Sequence, residues 1–153
     1  MKAKRCKLCG GERMKTLIKQ IVTLLIVVLI GIPAYASYDN DLYVLSHVIS
    51  GEAEGCSIEM KEAVGSVVLN RVDDPRFPDT ITDVVFQTGQ YACTWDGHYD
   101  RDPSQETINV AVDLLENGSK LDTCVVWQAE FIQGSGVYKS VTSPWGSVMY
   151  FCY

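Results

Sequence analysis

Residues 51–72 read GEAEGCSIEMKEAVGSVVLNRV, and two unlike patterns meet inside them. Met60, Ala63, Val64, Val67, Val68 and Val72 recur at steps of three and four, the spacing at which an α-helix gathers apolar side chains onto one buried face. Ser57 stands just ahead of that stripe, where a hydroxyl N-cap belongs. The preceding neck is different. Gly51, Ala53 and Gly55 strip it of bulk, yet Glu52 and Glu54 set two carboxylates in it. A polymer chain has room to approach the backbone at such a place. The core helix predicts a mainly helical fold, and the neck is the first place to look for chemistry.

Upstream, Leu42, Leu45, Val48 and Ile49 share one helical face, with Asp39 or Asn40 as cap and Gly51 weakening the end. Downstream, Asp73-Asp74-Pro75-Arg76-Phe77-Pro78 ends the second helix, because each proline disfavours helix in the residue before it. A short helical piece is expected at Thr82 to Phe86. Asp102-Pro103-Ser104-Gln105 then offers an Asp cap, Pro at the first helical position and Gln reaching back. Ile108, Ala111, Val112 and Leu115 follow, and Asn117-Gly118 is the stop. The last third changes character. Cys124 to Trp127, Gly134 to Tyr138 and Tyr150 to Tyr153 read as short extended or loop segments with an aromatic interior. The expected class is mainly α (α+β), a helical lobe with a small irregular or β C-terminal lobe.

The basic start, the apolar run from Ile21 to Ile32 and the small-x-small end Ala34-Tyr35-Ala36 describe a signal peptide over residues 1–36, with Met14 at the usual distance for a start. The run is short beside the about 20 residues of a spanning helix, so no stable membrane insertion is expected after cleavage. Cys6 and Cys9 fall in the discarded leader. Residues 37–153 then form one domain. They carry 6 Lys and Arg against 18 Asp and Glu, a net charge of −12 with histidines neutral. That excludes nucleic acid as partner, since binding it needs a basic footprint. It also means that an anionic polymer must be held by short-range contacts. Cys56, Cys93, Cys124 and Cys152 make an even number in an exported chain, so two disulfides are expected. His47 and His98 sit in no ligand-spaced cluster, so neither a metal nor another cofactor is expected.

Walled in by apolar groups, Glu52 would have its charged form disfavoured and its pKa raised, the condition of a glycosidase acid that protonates a leaving oxygen. Glu52-Ala53-Glu54-Gly55, Ala63-Val64 with Val67, Leu69-Asn70-Arg71-Val72, Phe77-Pro78-Asp79-Thr80 and Val84-Val85-Phe86-Gln87-Thr88-Gly89-Gln90-Tyr91 occur in that order. In this combination the chain resembles the SleB/CwlJ-type cell-wall hydrolase family, closely over about half of the mature chain. The resemblance implies a lysozyme-like domain acting as a monomer on peptidoglycan glycan strands, outside the cytoplasm. It implies that Glu52 is the catalytic acid at the bond between N-acetylmuramic acid and N-acetylglucosamine. It further implies lytic transglycosylation, in which that one carboxyl group serves as acid and then as base to give a 1,6-anhydro end. Hydrolysis would need a second carboxylate about 5 to 5.5 Å or about 6.5 to 9.5 Å away.

Glu54, Glu59, Glu62 and Asp96 are the carboxylates to weigh for that role. Glu59 and Glu62 suit the helix dipole at the start of the second helix. Glu54 stands where the family often has arginine, and its charge would raise the pKa of Glu52 further. Gln90, Tyr91, Trp95 and Asp96 form a polar and aromatic stretch suited to stacking on a sugar and bonding its acetamido groups. Trp127 and Gln128 are further candidates for the cleft. Asn70 and Arg71 read as a cap and a fold-holding hydrogen bond. Met149 stands where relatives carry a histidine. Two other classes compete: a cysteine amidase or peptidase using Cys56 with His98 as base, and a wall-binding module without turnover.

Overall fold

The computed structural model describes residues 10–153, apart from the side chains of 10–16 and 23–36. Cys6 and Cys9 of the leader expected over 1–36 therefore lie outside the described residues, and of that leader the backbone is described from Gly10 onward. The chain divides into two units, Met1–Tyr38 and Asp39–Tyr153. In the first, Leu17, Ile18, Ile21 and Val22 are exposed. Among the described residues, no helix is long and apolar enough to cross a membrane.

Helix α1 spans Gly10–Ala53. Asp39 and Asn40 are therefore not caps, because a cap acts only where the backbone ahead of it is non-helical. Asn40 instead donates from Nδ2 to Thr82 Oγ1 at 3.0 Å. The expected apolar face is present: Leu45, Val48 and Ile49 are fully buried, and Leu42 packs against them. The helix also runs through Gly51, one residue beyond Glu52. Gly55, at φ 81°, lets the chain turn within a few residues toward the next helix.

Helix α2 (Ile58–Asp73) begins as the sequence predicts, with Ser57 Oγ accepting from Met60 N–H. Met60, Ala63, Val64, Val67 and Val68 are buried in the core, and Val72 packs at its edge. Helix α3 (Ile81–Val85) is capped by Thr80. The one-turn helix α4 (Cys93–Asp96) was not expected, and Gly97 closes it in the left-handed region. Helix α5 (Gln105–Asn117) starts two residues later than its signal suggests: the cap is Ser104, not Asp102, and its Oγ accepts from Thr107 N–H. The buried face is accordingly Thr107, Val110, Ala111 and Leu114, so Ile108 and Val112 are only partly covered.

The C-terminal part is a three-stranded antiparallel sheet of β1 (Trp127–Ala129), β2 (Val137–Thr142) and β3 (Val148–Cys152), in the order β1-β3-β2. The last strand thus lies in the middle. Asn70 Nδ2 donates to Asp122 O at 2.8 Å and Val125 O at 2.9 Å, and Arg71 Nε donates to Val126 O at 2.8 Å. The fold-holding role read for this pair is what the geometry gives, and it pins the approach to β1 against the end of α2.

The two expected disulfides are absent: Cys56, Cys93, Cys124 and Cys152 are all free thiols. Each sulfur has its own surroundings. Cys93 packs on Gly51, Cys152 is buried in the sheet, Cys56 lies in the turn before α2, and exposed Cys124 bonds to Asp122. An even cysteine count reports pairing only when the fold brings sulfurs together.

Candidate active site

Glu52 occupies the last turn of α1, half-buried, where three depressions in the surface of the second unit meet. One, of about 300 Å³, runs past Ser50, Glu54, His98, Arg101, Asp102 and Trp145. A second, of about 330 Å³, is bounded by Gln90, Cys93, Asp96, Gln128, Glu130 and Met149. The third is a recess of about 60 Å³ between Met60, Ser143 and Trp145. A carboxyl group at such a junction is within reach of an extended chain lying in either of the larger depressions.

The reason for the glycine beside it is internal. A Cβ on Gly51 would stand 2.5 Å from Cys93 Cβ and 2.9 Å from its sulfur. Gly51 therefore gives room to α4 rather than to a polymer, correcting the expectation from the slim neck. With α4 this close, Cys93 N–H donates to Glu52 Oε1 at 3.3 Å. Burial raises the Glu52 pKa; hydrogen bonds from the Cys93 thiol and backbone pull it down, Asp96 pushes it up, and nearby His98 lowers it. Burial wins, so the neutral acid persists above the ordinary carboxyl range.

Glu54 behaves in the opposite way. Burial pushes its pKa up, but hydrogen bonds from Ser104, Ser50 and Thr107 and the charge of Lys61 outweigh this and hold it at about 2. Ser50 Oγ and Thr107 Oγ1 each donate to its Oε2 at 2.9 Å, and Lys61 Nζ is 3.5 Å from Oε1. Lys61, 2% exposed, also donates to Glu106 at 2.8 Å. Glu54 is thus a tie between α1, α2 and α5. The charges that bear most on Glu52 are those of Asp96 and His98. Glu59 forms a 2.7 Å ion pair with Lys139, linking α2 to the sheet.

The candidate contacts separate. Gln90, Asp96 and Gln128 share the second depression with Glu52. Asp96 is already engaged, its Oδ1 accepting from His98 N–H at 2.9 Å. Tyr91 is 1% exposed and lies with its ring 5.3 Å from the Arg71 guanidinium, and burial lifts its pKa to about 12. Trp127 sits edge-on to Phe77 at 5.6 Å, with Arg71 5.7 Å from its ring. These two rings surround a buried cation and support the site from behind. Trp95 is 62% exposed and lines none of the three depressions.

Sequence reasoning missed Trp145, Glu130 and Ser143. Trp145 is 66% exposed and borders two of the depressions, the position of a stacking platform. It rides on a β-turn in which Gly146 N–H donates to Ser143 O at 3.0 Å. The signal was present in Ser143-Pro144-Trp145-Gly146, with Pro and Gly at the second and fourth turn positions. Met149, in place of the expected histidine, lines the second depression and the recess and supplies no titrating group. Cys56 lines the recess and His98 the first depression; burial raises the Cys56 pKa, the reverse of what a thiolate nucleophile needs. His47 Nδ1 donates to Tyr43 O at 2.7 Å inside α1, and the ring stacks on that of Tyr43.

The profile of the family described as Cell Wall Hydrolase matches residues 55–147, beginning just after Glu52. A spore cortex-lytic enzyme of Halalkalibacterium halodurans is 32% identical over 85 residues, covering 56% of this chain and 26% of that protein. One from Oceanobacillus iheyensis is 30% identical over 76 residues, 50% of this chain and 28% of that protein. The chain thus spans about a quarter of the length of these curated relatives. Among solved structures, the catalytic domain of the germination-specific lytic transglycosylase SleB from Bacillus anthracis aligns with TM-score 0.59 and 20% identity, over 74% of this chain and 94% of that one. The Bacillus cereus SleB catalytic domain aligns with TM-score 0.56 over 74% and 90%. The α+β fold is the one these catalytic domains share.

Proposed function

The chain belongs to the cell wall hydrolase family, and from that premise we propose that it cleaves peptidoglycan glycan strands with Glu52 as the proton donor. The observation that carries this reading is a half-buried carboxyl at the junction of three depressions, its neutral form favoured by burial. Relatives described as spore cortex-lytic enzymes support the substrate class.

In the proposed reaction the Glu52 proton passes to the glycosidic oxygen as the bond from C1 to that oxygen breaks. The carboxylate then accepts the proton of the muramic acid 6-hydroxyl as that oxygen closes onto C1. Acid and base are the same group, no water is consumed, and the product is a 1,6-anhydro end. Gln90 and Gln128 offer amide groups to the sugar substituents, and Trp145 offers a ring face. Hydrolysis through Asp96 is the second reading, favoured by its place in the same depression as Glu52. The reading includes export, with the leader removed after Ala36, and action as a monomer.

Glu52→Gln tests the assignment against both a wall-binding module and a thiol enzyme. Turnover on purified walls falls by about 10²- to 10⁴-fold, the contribution of a general acid, while circular dichroism and wall binding stay unchanged. Undiminished turnover by the folded variant would overturn the proposal.

A further inference from the structure

The recess of about 60 Å³ beside Glu52 has a feature that the proton transfer does not use. Ser143 is only 8% exposed, and its hydroxyl has no hydrogen-bond partner. Its backbone groups are already committed: the N–H donates to Ser147 O at 2.8 Å, and the C=O accepts from Gly146 N–H at 3.0 Å. A buried hydroxyl without a partner costs stability. This one lines a recess together with Met60, Cys56, Met149 and Glu130, beside Glu52. The second depression ends on Gln128, whose buried Oε1 also lacks a partner.

We propose that this recess seats the 2-acetamido group of a sugar flanking the scissile bond, so that Ser143 and Glu130 select N-acetylated glycan. The proposal rests on the glycan-cleaving reading. Its chemistry matches the walls one by one. The Ser143 hydroxyl donates to the acetamido carbonyl, the amide N–H donates to Glu130, and the methyl lies on Met60, Cys56 and Met149. A carboxylate substituent would meet the carboxyl groups of Glu130 and Glu52. An ammonium would leave the apolar side uncovered.

The test compares fully N-acetylated glycan strands with the same strands after enzymatic de-N-acetylation, for the wild type, Ser143→Ala and Glu130→Ala. Glu130 is exposed, so its variant reports even if the turn around Ser143 is disturbed. The wild type prefers N-acetylated strands, and each variant lowers that preference three- to tenfold, the loss of one hydrogen bond, mainly through KM. Re-acetylating the treated strands restores wild-type cleavage. Cleavage with no preference, a preference for de-N-acetylated strands, or variants that slow both substrates equally would overturn the inference while leaving the function standing. No cleavage of either strand would remove both.

Discussion

At Glu52, burial and hydrogen bonding compete over one proton. The raised pKa means that the folded state binds this proton more tightly than the unfolded chain, so stability from this group is complete below the ordinary carboxyl value of 4.5 and is lost as pH rises through the shifted value. Glu52→Gln, which cannot ionise, is therefore expected to melt higher than the wild type at neutral pH, and the gain should vanish in acid. Equal melting temperatures at both pH values would place the carboxyl in bulk water. Cys93 acts on the same proton with the opposite sign. Its thiol bond favours the carboxylate, so Cys93→Ala should move the alkaline limb of the activity profile to higher pH. A limb that stays put or moves down would show that the thiol does not bear on Glu52. Glu54 shows why residue type alone misleads: two acids two positions apart in the same neck titrate in opposite directions, because one faces open depressions and the other three donors and a lysine.

Helix α2 is the element on which the two lobes of the second unit join. Asn70, 1% exposed, holds two carbonyls of the segment leading to β1, and Asn70→Ala leaves both without that donor. A loss of about 1–3 kcal/mol is expected, read as a lowered midpoint in urea unfolding; an unchanged midpoint would mean that the strand entry holds itself. α2 was also the element best written in the sequence, since its cap, its apolar period and its proline-bounded end are all local. The start of α5 was displaced because Asp102-Pro103 and Ser104 are both good opening signals, and only the bonds from Ser104 to Thr107 decide between them. The sheet was legible as extended aromatic segments but not as an order, because β3 pairs with both neighbours across the chain and no local pattern fixes that. α4 was invisible: one turn of helix is too short for a period.

On the scale of the second unit, the site is assembled from the end of α1, α4 with its approach, the entry to β1 and the β2–β3 turn. Glu52, Gln90 and Asp96 were legible as candidates because they fall within or beside the motifs that carry the family resemblance, whereas Gln128 was read only as a further candidate beside Trp127; the four line one depression. Tyr91 and Trp127 were placed in the cleft by residue type, and the fold turned both rings toward buried Arg71. Trp145 and Ser143 became visible only when the β2–β3 turn was brought over the neck. Under the proposed function, the net charge of −12 over residues 37–153 means that an anionic strand would have to be captured by contacts within the depressions and not by long-range attraction. The most direct test is mass analysis of the fragments that the wild type and Glu52→Gln release from purified peptidoglycan. The account predicts fragments ending in 1,6-anhydro-muramic acid from the wild type and none from the variant; reducing muramic acid ends would move the chemistry to hydrolysis, and free stem peptides with intact glycan would contradict the central claim.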